Sequence, residues 1–291
     1  MKVYLAENAG FCFGVKRAIN LAGETAKNTK GKVCTFGPII HNPQVVTEFK
    51  RKGIIAVEDV SRIKEGSSII IRTHGVSPDK VKEFKKKKLK IIDATCPFVK
   101  KAQKFAKQLT TEGYQVIVIG ESEHPEVKGI RGFTQLEKSA NRIHNKNKAI
   151  VIGSVCEVKK LPKLQRIGIV VQTTQSPENF KNIVMCLLEK SNELKIFNTI
   201  CDATKKRQNS SLKLTKKVDI IIVIGGYNSA NTKHLAEVCE STAVPTYHIE
   251  SSLDLKKDWF KGKKRVGITA GASTPDWVIN EVVKNLKRLK I

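Results

Sequence analysis

Three cysteines recur at one position of an internal repeat, which makes them the strongest chemical signal in the chain. TCPFVKKAQKFAKQLTTEGYQVIVIGESEH begins at Thr95 and ICDATKKRQNSSLKLTKKVDIIIVIGGYNS at Ile200; each gives a cysteine, a polar–apolar stretch, a β-branched run and a glycine. Cys96 to Gly120 and Cys201 to Gly225 each span 24 residues, and Cys12 to Gly37 spans 25. A buried free thiol is the ordinary reading of a single cysteine, but it does not explain recurrence in otherwise diverged repeats. Structural zinc wants four ligands, commonly in closely spaced pairs, and no CxxC is present. A four-iron cubane held by three cysteines leaves one iron without a protein ligand, free to act on a substrate. Each cysteine also precedes a stretch of helical periodicity, so positive helix ends would face an anionic cluster. Cys34, Cys156, Cys186 and Cys239 do not recur and are expected to be packing residues.

Histidines gather in the neighbouring polar loops: His41 in PIIHNP, His74 in RTHG and His124 in SEHPEV. His41 and His124 both lie four residues past the repeated glycine, where the third repeat has Asn228 and Ser229. A second marker is the trio IIIRTHGVSP, IGIVVQTTQSP and VGITAGASTP; aligning Pro78, Pro177 and Pro275 sets His74 against Thr173 and Gly271, and Val76 against Gln175 and Ser273. Together with Ser229, Asn231 and Ser273, the histidines form a neutral-to-cationic donor set suited to a diphosphate, without a glycine-rich loop of the Walker or Rossmann kind. Glu126, two residues after His124, is the one acid in these loops and could supply protons, with Thr173 and Thr174 relaying them.

The elements that must position these groups are legible as well. Each repeat reads strand, cysteine loop, helix, strand, polar loop, connection, strand, polar loop, helix. Val15, Ala18, Ile19 and Ala22 form one helical stripe, and Val99, Ala102, Ala106 and Leu109 another. The runs VIVIG, IIIVIG, IIIRTH and GIVVQTT are apolar almost throughout, as strands buried on both faces of parallel sheets should be. Ligands in such sheets gather at the carboxyl ends of strands. The expectation is an α/β fold of three small units with mainly parallel sheets, a pseudo-threefold trefoil around a central cluster. The units are expected at 8–95, 96–200 and 201–291, the last completed by the N-terminal strand 1–7.

Composition narrows the function classes. The chain has 291 residues, 40% of them hydrophobic and 27% charged, as in a globular protein. No tract approaches the ~20 apolar residues of a membrane span, and MKVYLAENAG lacks the apolar core of a secretory signal; a cytoplasmic location is expected. Lys and Arg number 53 against 27 Asp and Glu, a formal charge of +26, which attracts polyanions. The basic runs, FKKKKLK, KKRQ and KGKKR, are scattered and carry no interleaved aromatics for base stacking, so solvated helix faces are expected rather than a nucleic-acid surface.

Taken jointly, AGFCFGVKRAI, GPIIHNPQVV, RTHGV, DATCPFV, HPEVKGI, QTTQS, TICDATKKRQ, NSANT and TAGASTPDW make the chain resemble the 4-hydroxy-3-methylbut-2-enyl diphosphate reductases over essentially all its length. The resemblance implies a trefoil of three α/β units around a [4Fe-4S] cluster, with Cys12, Cys96 and Cys201 as ligands and one iron open. It implies diphosphate donors His41, His74, Ser229, Asn231 and Ser273, and groups near the allylic hydroxyl at His124, Glu126, Thr173 and Thr174. One departure is that Ser229 is followed by Ala230, where many members carry two successive serines, so one hydroxyl donor to the diphosphate is missing. The implied reaction is the two-electron, two-proton reductive dehydroxylation of (E)-4-hydroxy-3-methylbut-2-enyl diphosphate to isopentenyl and dimethylallyl diphosphate, the last step of the methylerythritol phosphate route. The electron donor would be reduced ferredoxin or flavodoxin, acidic partners suited to a basic surface. Two rivals make different predictions. A nucleic-acid-binding protein with a structural cluster would show steep salt dependence on any strand, and a zinc hydrolase with histidine ligands would be colourless.

Overall fold

The computed structural model describes residues 1–135 and 148–289. The chain opens with β1 (Lys2–Leu5) and α1 (Phe13–Asn28), followed by β2 (Val33–Phe36), α2 (Pro43–Arg51), β3 (Ile54–Val57), β4 (Ser68–Ile71), α3 (Pro78–Lys86) and β5 (Lys90–Asp93). A second series runs α4 (Pro97–Thr111), β6 (Gln115–Ile119), α5 (Pro125–Gly132), β7 (Ile150–Ile152), α6 (Val155–Lys159), β8 (Leu164–Val171), α7 (Pro177–Leu188) and β9 (Ser191–Phe197). The third is α8 (Asp202–Thr215), β10 (Ile220–Ile224), α9 (Ala230–Glu240), β11 (Thr246–Ile249), β12 (Arg265–Ala270) and α10 (Asp276–Arg288).

The described strands form three four-stranded sheets, ordered β3-β2-β4-β5, β7-β6-β8-β9 and β11-β10-β12-β1, and every pairing is parallel. The three orders are the same once β1 is counted as the fourth strand beside β12. This is the α/β, parallel-sheet architecture the apolar runs predict, and its cause is visible in burial. Ile69, Ile70, Ile117 to Ile119, Ile169 to Val171, Ile220 to Ile224 and Ile268 are all sealed from water, each contributing about 1.5–3 kcal/mol. Val99, Ala102, Ala106 and Leu109 of α4 are buried, as their spacing predicts, as are Val15, Ala18 and Ala22 of α1.

The chain divides into two compact units. The first comprises Met1–Arg17, Ile40–Arg51 and Asp202–Ile291, and the second Ala18–Ile39 and Lys52–Cys201. The first unit holds the β1/β12/β10/β11 sheet, and its largest core cluster is Ile220, Ile222, Ile224, Ile249, Phe260, Val266 and Ile268 with the inner face of α10. The second holds the other two sheets, with cores on both faces of the β6/β8 pair and around Ile69, Ile71 and Phe84.

Each sheet has one topological switch point, between its first and third strands in chain order, where connections leave to opposite sides and ligands bind past the strand ends. The loops after β2 and β4, β6 and β8, and β10 and β12 are therefore the six places to look for chemistry. Strand pairing fixes their equivalence, because Phe36 pairs with Ile71, Ile119 with Val171, and Ile224 with Ala270. Gly37, Gly120 and Gly225 are thus one position and Arg72, Gln172 and Gly271 another. Gly37 has φ +70°, and a Cβ there would lie 2.5 Å from the Arg72 guanidinium; at Gly120 a Cβ would meet Gln172 at 2.6 Å. In both sheets the residue after the third strand lies over the glycine after the first.

Candidate functional site

One backbone hydrogen bond recurs in all three repeats. The Cys12 amide donates to the Ala272 carbonyl (3.2 Å), Cys96 to Thr73 (3.0 Å) and Cys201 to Thr173 (3.0 Å). Each acceptor is the second residue past the strand end. The prolines misplace this register, because Pro78, Pro177 and Pro275 lie seven, six and five residues past the paired strand ends Ile71, Val171 and Ala270, each loop being one residue shorter than the last. Structurally His74 matches Thr174 and Ser273, and Thr173 matches Thr73 and Ala272. The proline-anchored alignment of His74 with Thr173 and Gly271 is corrected accordingly.

In the second unit, Glu126 stands in the first turn of α5, which begins at Pro125 with His124 as its cap. Its carboxyl is fully buried and accepts two bonds from one residue, the Thr173 amide (2.6 Å) and the Thr173 hydroxyl (2.8 Å). Burial pushes the carboxyl up to about 7, against the lowering effect of the two Thr173 donors. A carboxyl group half protonated near neutrality and bonded to a hydroxyl is equipped to deliver a proton. The Glu126 amide donates to His124 Nδ1 (3.2 Å); a neutral His124 therefore carries its proton on Nε2. The His74 and His124 rings meet edge to face, 5.2 Å between centroids. Gln172 is fully buried, takes the Glu121 amide on its oxygen (2.9 Å) and donates to the Thr174 hydroxyl (3.0 Å).

In the first unit, Ser229 caps α9 and accepts from the Thr232 amide (3.4 Å). The Ser273 hydroxyl lies 3.4 Å from both Ser229 Oγ and the His41 carbonyl. Asn231 takes the Ala272 amide on its carbonyl oxygen (2.8 Å), so its NH2 group is the end left to a ligand. A Cβ at Gly226 would stand 2.6 Å from the His41 carbonyl oxygen; only glycine allows that approach. Hydroxyls, an amide NH2 and the amino end of an eleven-residue helix are an anion-binding set.

None of the seven cysteines is in a disulfide. Cys34 and Cys239 are buried, and burial raises both thiols, Cys239 to about 12, so neither supplies a thiolate near neutrality. Cys186 packs partly against the β8 core. Cys156 is exposed, contrary to the expectation of a packing residue, because it faces outward on the short α6. Cys12, Cys96 and Cys201 are half-buried and each stands immediately before a helix. A soft sulfur donor directly before a helix is the ligand type of iron–sulfur groups, whose negative charge a helix start favours.

Sequence reading missed Arg207 and Gln208, which it left in a solvated basic run. Both are buried, and the Arg207 guanidinium donates to the Gly10 carbonyl (2.7 Å), holding the loop that carries Cys12. It also missed Gln172, which only the strand-end register identifies as the counterpart of Arg72.

Comparison with known proteins gives a consistent family. A family profile described as LytB protein matches residues 3–287. The 4-hydroxy-3-methylbut-2-enyl diphosphate reductase of Geotalea uraniireducens (strain Rf4) is 50% identical over 289 residues, 99% of this chain and 98% of that protein. The reductase of the same name from Pelobacter propionicus is 49% identical over 283 residues, 97% and 96% of the two chains. Among solved structures, (E)-4-hydroxy-3-methyl-but-2-enyl diphosphate reductase, described as the terminal enzyme of the non-mevalonate pathway, aligns with a TM-score of 0.71 at 46% identity over 99% of this chain and 100% of its own. The E-1-hydroxy-2-methyl-but-2-enyl-4-diphosphate reductase of Plasmodium falciparum aligns with a TM-score of 0.90 at 30% identity, covering 99% and 89%.

Proposed function

The chain belongs to the LytB family, and on that premise we propose that it is a reductase converting (E)-4-hydroxy-3-methylbut-2-enyl diphosphate to isopentenyl and dimethylallyl diphosphate. One carbon–oxygen bond breaks, two electrons and two protons enter, and water leaves. The observation that carries the reading is the buried Glu126–Thr173 pair, a proton source tuned to neutrality where hydroxide must be protonated as it departs.

The roles divide as follows. Ser229, Asn231, Ser273, His41 and His74 hold the diphosphate through hydrogen bonds, which the phosphate charge strengthens. The amino end of α9 adds its amides, and these offset the hydroxyl lost at Ala230. Thr173 and Thr174 take the allylic hydroxyl. Glu126 delivers the proton through the Thr173 hydroxyl, and its Thr173 amide bond keeps the other oxygen fixed. His124 caps α5 and so sets the position of Glu126, while its Nε2 proton serves the substrate. Cys12, Cys96 and Cys201 would hold a [4Fe-4S] cluster with one iron open, which supplies one-electron reduction when bound. Buried Arg207 keeps the Cys12 loop in place. Reduced ferredoxin or flavodoxin is the donor we assign, and a cytoplasmic site of action goes with it. No described helix is long and apolar enough to cross a membrane.

The test is anaerobic turnover of the substrate with reduced methyl viologen, following both products. A brown protein that converts substrate supports the reading. A colourless protein, or a brown one without turnover, overturns it.

A further inference from the structure

We propose that the exposed face of α4, carrying Phe98, Lys101 and Lys104, is the docking site of an acidic carrier protein that delivers one electron at a time. The inference rests on the reading of Cys96 as a cluster ligand. Cys96 is the cap of α4, so the helix leads from that thiol directly to the protein surface. Phe98, two residues on, is an exposed aromatic. At 1.5 Å rise per residue, Lys101 and Lys104 lie only about 8–12 Å along the axis from Cys96.

The charge of α4 is only partly answered within the fold: Lys101 Nζ lies over the Phe105 ring, 5.7 Å from its centroid. PFVKKAQKFAKQLTT contains no acid, and Lys100, Lys101, Lys104 and Lys107 are all exposed. Lys100 is bonded to Asp93 (2.6 Å), but no carboxylate pairs with Lys101, Lys104 or Lys107 among the described residues. Cations in the first turns oppose the helix dipole, and like charges three or four residues apart repel. Such an arrangement weakens the helix and is suited to meeting negative charge from outside. The other cysteine-bearing helices repeat the basic pair four and five residues on, Lys16/Arg17 and Lys205/Lys206, yet α1 contains Glu24 and α8 opens with an exposed Asp202. An exposed aromatic, Phe13, opens α1 as well, so what sets α4 apart from the other two cysteine-bearing helices is a basic face with no acid along its whole length. An apolar anchor ringed by charges is the usual make-up of a transient interface, with the charges governing the rate of encounter.

Each encounter oxidises one carrier by one electron. Two encounters supply the two electrons that, with two protons, replace the substrate hydroxyl by hydrogen and release water.

The experiment is calorimetric titration of the holoenzyme with an acidic flavodoxin, alongside steady-state kinetics. Lys101→Glu/Lys104→Glu is expected to raise Kd and the KM for reduced flavodoxin at least tenfold and to flatten the salt dependence, with turnover on reduced methyl viologen and the substrate KM unchanged. Phe98→Ala should weaken flavodoxin binding several-fold. Lys101→Gln/Lys104→Gln, milder for the helix, should give a smaller effect in the same direction. Lys205→Glu/Lys206→Glu on α8 should change flavodoxin binding little. Unchanged flavodoxin affinity in the α4 variants, or an equal loss in the α8 variant, overturns the inference. If viologen-driven turnover is absent in the wild type while the α4 variants still lose flavodoxin binding, the reductase reading falls and the docking face stands.

Discussion

Glu126 in the second unit and Asn231 in the first occupy the same place in two repeats. Each lies six residues past the repeated glycine, in the first turn of a helix, and each accepts the backbone amide of the residue two past the third strand: Thr173 for Glu126 (2.6 Å), Ala272 for Asn231 (2.8 Å). One backbone scaffold thus presents a titratable carboxyl beside a hydroxyl in one unit, and an untitratable amide beside a methyl in the other. The difference teaches that the repeat fixes where a side chain stands, and its chemistry alone decides whether the position moves protons or binds charge. In the first repeat the position is Pro43, which offers no acceptor, and the Thr73 amide turns instead to the Ile39 carbonyl (3.5 Å).

The comparison presupposes that the cysteine register is the functional one, so the largest effect comes from breaking it. Cys96→Ser or Cys201→Ser should abolish iron binding and turnover, whereas Cys186→Ser should leave both near wild type. Iron content by colorimetric assay is the check, and a full complement in Cys96→Ser would remove the basis of the comparison. Next comes the carboxyl itself. Glu126→Gln keeps the acceptor for the Thr173 amide but cannot donate a proton, so turnover should fall ~10²–10⁴-fold with substrate affinity retained. In the wild type, kcat should decline as pH rises through about 7, where Glu126 loses its proton; in the variant that limb should vanish.

The same carboxyl sharpens the comparison through stability. Glu126 titrates near 4.5 in an unfolded chain and about 7 in the fold, so the native state binds the proton more tightly. Stability then falls as pH rises from about 4.5 to 7 and stays reduced above that, by about 3 kcal/mol for a shift of this size. Glu126→Gln should melt higher than wild type at pH 8 and gain little at pH 4.5. Thermal scans of the two proteins across that range test this, and equal melting temperatures at pH 8 would show the carboxyl to be better solvated than its burial implies. No such pH-dependent gain should follow substitution of Asn231.

Much of this was legible in the sequence, for identifiable reasons. Strands such as IIIVIG and VIVIG are sealed on both faces by helices, so hydropathy alone marks them, and the cysteine–glycine spacing exposes the repeat because core strands tolerate few insertions. Where burial is polar, pattern fails. The inner face of α8 is Thr204, Arg207, Gln208 and Ser211, a helical stripe in position but not in hydropathy, so it read as solvated. The proline anchors failed because the loops before the three prolines shorten by one residue from each repeat to the next, a difference visible only in the strand pairing and the cysteine amide bonds. The kinship of Glu126 with Asn231 was hidden for a similar reason: the two share a backbone partner and no chemical type.

The smallest effect is the most discriminating. Asn231→Ala removes the acceptor of the Ala272 amide and, on the proposed function, one donor to the diphosphate. A charge-assisted bond is worth ~1.5–3 kcal/mol, which at 1.4 kcal/mol per factor of ten corresponds to a rise in substrate KM of roughly 10–100-fold. Because Asn231 moves no proton, kcat should hold and the pH profile should keep its limb near 7. Asn231→Asp restores the acceptor and places a carboxylate where the diphosphate sits, so its KM should exceed that of Asn231→Ala above pH 6 and approach it as the new carboxyl is protonated. Steady-state kinetics of both variants from pH 5 to 8 decide the matter. A fall in kcat in Asn231→Ala comparable to that of Glu126→Gln would mean that the two equivalent positions share the proton chemistry, and the division between acid and anion site would have to be abandoned.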